Sequence, residues 1–106
     1  KSKNMSNALF SLVLDTESKV IRVGGELSFA TVSQVLEQTS RVFEPITDLK
    51  IDLAAVSRSD SAGLALLIDW MRTAQAANKS ISFQNIPSQM LAIASASGLD
   101  ELLPLH

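Results

Sequence analysis

The densest group of reactive side chains in this sequence is Ser57-Arg58-Ser59-Asp60-Ser61, which runs directly into Ala62 and Gly63. A serine beside an aspartate could serve as a nucleophile, as part of an anion or metal site, or as a helix start. A nucleophilic serine needs a general base within hydrogen-bond reach. The only histidine is His106, at the end of the sequence, where a base is poorly held. No lysine follows Ser61 at Ser-x-x-Lys spacing, and the G-x-S-x-G elbow does not occur. Neither G-x-x-x-x-G-K-S/T nor G-x-G-x-x-G is present, so no phosphate cradle is expected. The carboxylates are scattered and cysteine is missing, which leaves no basis for a metal or cofactor site or a disulfide framework.

The remaining chemistry is that of a helix start. Asp60 is suited to N-cap, its carboxylate accepting from backbone N–H groups one turn in. Ser61 then lies in the first turn with its hydroxyl near the surface, and Gly63 leaves the backbone bare enough for another surface to approach. Two readings fit these residues: an ordinary capped helix, or a point at which a second protein docks.

The flanking elements decide where this turn sits. Residues 8–15 and 19–23 read as short apolar strands joined by turn-forming residues, and Gly24 and Gly25 are expected to break or bend the second. Residues 31–43 carry Val32, Val35, Leu36, Thr39, Val42 and Phe43 at helical spacing. Thr31 and Gln34 match a capping box there, and Pro45 ends the segment. Residues 48–54 alternate as a half-buried strand, with Leu49, Ile51 and Leu53 on one side.

The polar stretch follows as a connection, and a second helix is predicted over 62–77, with Asn78 as its stop. Residues 80–84 alternate again. Pro87 opens a third helix that stops at Gly98, and the tail from Glu101 reads as a short closing turn. The expected order is β-β-α-β-α-β-α: an α/β fold with a mixed four-stranded sheet covered by helices. The turn therefore lies at the carboxyl end of a strand, where open α/β sheets gather functional groups.

The helix after the turn is more apolar than one buried face requires. Leu64, Leu67, Ile68, Met71 and Ala74 form one arc, expected in the core. Leu66 and Trp70 fall on an adjoining arc. They either widen the core face or extend a partner contact, and a partly exposed tryptophan favours the contact.

Composition narrows the function classes. The 106 residues suffice for one domain, placed here at 8–104, with 1–7 expected as a disordered N-terminus in which Met5 is the native start. Nine basic and eleven acidic residues give a net charge of −2 without a basic cluster, which argues against a nucleic-acid partner. Charged residues make up only 19% and mean hydropathy is +0.22, apolar for a small domain and consistent with a surface patch that a partner covers. Such a patch could also self-associate weakly. No apolar run reaches the ~20 residues of a membrane span, and no leader pattern is visible.

Asp60-Ser61-Ala62-Gly63-Leu64, between an alternating strand and an apolar helix, resembles the Asp-Ser-Ser-Gly-type signature of STAS domains. The resemblance extends to Gly25-Glu26-Leu27 and the element order. The run from Asp60 to Pro87, with SGLDELLP near the end, is similar to the MlaB-like branch, the cytoplasmic STAS subunits of a phospholipid ABC transporter in Gram-negative bacteria. The resemblance implies a non-catalytic docking module at the cytoplasmic side of the inner membrane. Its partner would be the transporter ATPase, and through it the permease complex. Ser59, Asp60, Ser61, Ala62 and Gly63 would lie at the contact, extended by Leu66 and Trp70. In the anti-sigma factor antagonists of the family the serine at the Ser61 position is phosphorylated, which ends docking. Ala62, standing where a second serine is common there, departs from that pattern.

Overall fold

The computed structural model describes residues 2–4, 9–99 and 101. Eight elements follow one another: β1 (Ser2–Asn4), β2 (Phe10–Asp15), β3 (Val20–Leu27), α1 (Val32–Phe43), β4 (Asp48–Ser59), α2 (Ser61–Ala76), β5 (Ser80–Gln84) and α3 (Ser88–Ala96). The strands form one sheet whose spatial order is the chain order, β1-β2-β3-β4-β5. β1–β2 and β2–β3 pair antiparallel; β3–β4 and β4–β5 pair parallel across the helical crossovers. The expected α/β class with a mixed sheet and three helices is what forms, with β2 to β5 as the four expected strands.

Residues 2–4 correct one expectation. They were placed in a disordered stretch, yet they pair with residues 13–15 as a short edge strand. An edge ladder is made by backbone groups and requires no apolar side chains. Residues 5–8, residue 100 and the tail 102–106, which includes His106 and most of the expected closing turn, lie outside the described residues.

One face of the sheet is covered. Leu14, Ile21, Ile51 and Phe83 stand opposite one another in register across β2 to β5, and Ile21, Ile51 and Phe83 are fully buried. Leu12, Val23, Leu49 and Leu53 extend that face beneath the helices. Arg22, on the intervening register, is exposed and pairs with Asp15 at 3.1 Å. The guanidinium, assisted by the N–H groups of Ser18 and Glu17, lowers the Asp15 carboxyl to about 2.

Two expected boundaries shift for the same reason. Gly24 and Gly25 do not end β3, and residues 57–59 of the polar stretch are not a connection: both segments continue as paired strand, with Leu27 opposite Ser59. Periodicity stops where side chains turn polar, but the parallel ladder continues. Irregular register around Arg22–Gly24 and Gly25–Glu26 lets the strands bend there, and Gly25 sits at φ +80° with its Cα directly over β2, where a Cβ would strike the Leu9 carbonyl.

Candidate partner-docking site at the head of helix α2

β3 and β4 end side by side, so the loop from β3 to α1 and the turn from β4 to α2 meet. Asp60 joins them. Its backbone N–H donates to the Leu27 carbonyl at 3.3 Å. One carboxylate oxygen accepts from the Ala62 N–H at 2.9 Å and the Gly63 N–H at 3.4 Å, the expected cap. The other accepts from the Phe29 N–H at 3.2 Å, thirty-one residues away.

The loop is also built from within. Thr31 is the N-cap residue of α1, but its hydroxyl makes no cap hydrogen bond to the helix. Its hydroxyl donates instead to the Glu26 carbonyl at 2.7 Å and accepts from the Ser28 N–H at 3.0 Å. The Ser28 hydroxyl donates to the Glu26 carboxylate and accepts from the Ala30 N–H. The result is a tightly bonded loop that holds Phe29 with 89% of its surface exposed. Sequence reading passed over Phe29. Its signal was a large aromatic residue in a loop of small polar ones, outside any apolar period.

The predicted site residues separate on inspection. Ser61 is exposed as the first residue of α2, and Ala62 is half-buried beside it. Ser59 is half-buried, its hydroxyl oxygen enclosed and without a hydrogen-bond partner among the described residues. Gly63 is buried by this chain: a Cβ there would lie 2.5 Å from the Leu27 carbonyl oxygen and 3.1 Å from Met90 Cε. The close approach expected for a partner is taken up by the end of β3.

Leu66 offers a partner only a sliver of surface, in a groove between α1 and α2, and Trp70 is corrected as a partner contact. They are 4% and 1% exposed. Trp70 donates its indole N–H to Thr39 Oγ1 at 3.0 Å, meets Phe43 edge-on at 5.5 Å between ring centres, and stacks near Phe83 at 6.5 Å. The adjoining arc is a wide core face because α1 packs alongside α2, a neighbour that a single-helix wheel does not include. Conversely, Leu36, one of the residues at helical spacing in α1, is 39% exposed.

The surface that remains is the head of α2, the Phe29 loop, and a shallow groove of about 340 Å3 between the amino-terminal halves of α1 and α2. Among the described residues no cluster of His, Cys, Asp or Glu could hold a metal ion. The geometry provides one hydroxyl, a ring and bare apolar surface. These suit contact with another surface.

Asp60 supports both halves of this site, which makes its replacement informative. Asp60→Ala removes the cap and is expected to lower stability by about 1 to 2 kcal/mol in thermal melts. Asn retains a capping oxygen, so Asp60→Asn keeps most of that stability. In amide NMR spectra Asp60→Ala should displace the Phe29 signal along with those of Ala62 and Gly63. Movement at Ala62 and Gly63 alone would show that Asp60 does not hold the loop.

A mixed sheet with helical crossovers and a capped small-residue turn at the carboxyl end of an interior parallel strand, β4, defines the architecture of a STAS-type domain. The chain belongs to that family: the family model described as "Mlab, STAS domain" matches residues 10–104. Among solved structures, it is similar to the anti-sigma factor antagonist SpoIIAA in its unphosphorylated form (TM-score 0.64, 22% identity, 100% of this chain and 88% of that one). An anti-sigma factor antagonist from Mycobacterium paratuberculosis matches with TM-score 0.60 and 21% identity over 100% of this chain and 84% of that one. SLC26A9 matches with TM-score 0.59 and 17% identity over 94% of this chain, which spans 20% of that longer chain. At these identities the structural likeness is one of fold.

Proposed function

We propose that this protein is a non-catalytic subunit that docks, through the head of α2, on the cytoplasmic ATPase of a phospholipid-transporting ABC system that maintains outer-membrane lipid asymmetry. On this reading it is held at the inner membrane by its partner complex. The observation that carries the reading is the exposure of Ser61 on a rigidly capped helix start, beside a bonded loop that presents Phe29 to solvent. The family model's description points to the same branch. No helix among the described residues is long and apolar enough to cross a membrane, so attachment by way of a partner is consistent with the fold.

Ser61→Arg and Ser61→Asp test the placement. Both put a charge at the centre of the contact without disturbing a buried group, so the fold should survive. Co-purification with the transporter ATPase of the native cell should fall by about a hundredfold, the scale of a hot-spot loss of ~2–3 kcal/mol. If both variants capture the ATPase as well as the unaltered chain, the docking surface is not at Ser61.

The likeness to SpoIIAA favours a second reading, an anti-sigma factor antagonist switched by phosphorylation of Ser61. The hydroxyl is accessible and a phosphate at a helix start suits the helix dipole, although the Asp60 carboxylate opposes it. Intact mass after incubation with native lysate and ATP separates the readings: a gain of one phosphate, lost in Ser61→Ala, supports the switch.

A further inference from the structure

The surface around Ser61 has a specific shape and charge. Phe29 stands at one end of the groove, and its walls are Val32, Ser33 and Leu36 of α1 and Ala62, Ala65 and Leu66 of α2. Asp69, exposed on α2, closes the far end and is the only charged residue lining it. No described lysine or arginine lines the groove.

We infer that the groove receives an amphipathic helix of the partner, whose apolar ridge lies between α1 and α2 against Phe29 and whose lysine or arginine reaches Asp69. Three observations select this occupant. An aromatic ring exposed to 89% stands on a loop whose backbone is already hydrogen-bonded in place, so little loop freedom remains to be lost on association. Ala62 and Ala65 on the α2 wall leave room for a helix to come close, with Leu66 as apolar floor for its side chains at i, i+3 and i+4. The single lining charge is negative, which sets the sign of the partner's charge at that end of the groove. This inference rests on the docking reading at Ser61 and adds the chemistry of what docks.

The test measures equilibrium binding of the full chain and four variants, Phe29→Ser, Asp69→Lys, Asp69→Asn and Ser61→Arg, to the purified cognate ATPase. Phe29→Ser should weaken binding about tenfold or more, the scale of a lost aromatic hot spot. Asp69→Lys should weaken it about threefold to tenfold, and Asp69→Asn should flatten the dependence of affinity on potassium chloride concentration. Both positions are exposed, so thermal midpoints should hold and loss of fold is not confused with loss of contact. If Ser61→Arg abolishes binding while Phe29→Ser and Asp69→Lys bind normally, docking at Ser61 stands and the groove is not its continuation. Binding that is unmoved by all four variants, Ser61→Arg included, or undetectable for the unaltered chain, overturns the groove and the docking reading together. Losses for Phe29→Ser with a salt dependence unchanged in Asp69→Asn would reject the basic residue and with it this occupant.

Discussion

Gly63→Ala is expected to destabilise the domain by about 2 kcal/mol or more, a change opposite in sign to the usual effect of this substitution inside a helix. Alanine is favoured over glycine in a helix by about 1 kcal/mol. Here the added methyl would lie 2.5 Å from the Leu27 carbonyl oxygen and 3.2 Å from Leu27 Cβ, atoms fixed in the sheet. Overpacking against groups that cannot rotate away costs about 3 kcal/mol, and it wins. A domain of this size loses roughly 4 to 8 °C of thermal midpoint per kcal/mol, so the melt should fall by about 8 to 16 °C. A midpoint at or above that of the unaltered chain would show that α2 does not press on β3 as described. Because this residue is sealed, any effect of Gly63→Ala on partner binding should follow from the displaced helix head.

Trp70→Ala carries the largest expected loss, about 3 to 5 kcal/mol. The ring is 1% exposed, lies between Phe43 and Phe83, and is tied by its N–H to the Thr39 hydroxyl, so truncation opens a cavity and unpairs a buried group. A domain with roughly 5 to 15 kcal/mol of total stability would be left marginal. Trp70→Phe keeps most of the packing and loses the N–H, for about 1 kcal/mol. The comparison also separates structure from docking: Trp70→Phe, folded, should bind the ATPase with unchanged affinity. Denaturant melts measure the first effect and the binding titration the second; a tenfold loss of affinity in Trp70→Phe would return this residue to the interface.

The order of elements was legible because three helices and four strands each carry their own apolar period. The cap was legible because Asp60 acts on its immediate neighbours. What the sequence could not show depended on distant pairing. The extension of β4 through Ser59 follows from the ladder with β3, not from its polar side chains. The inward turn of Leu66 and Trp70 follows from α1 packing alongside, and the sealing of Gly63 from the end of β3. Phe29 draws its importance from a hydrogen bond to a residue thirty-one positions away. Local chemistry placed Ser61 correctly at the surface, while tertiary packing decided which of its apolar neighbours share it.

The sheet's spatial order has a consequence for synthesis. Because each described strand lies next to the one before it, every strand that leaves the ribosome finds its mate already made, and the sheet can grow in one direction from β2 onward. No strand has to be inserted between two that have already paired. A nascent chain halted after α2 would hold every described strand but the last, leaving β4 as the open edge, with Ile51 lacking Phe83, its counterpart in the finished sheet.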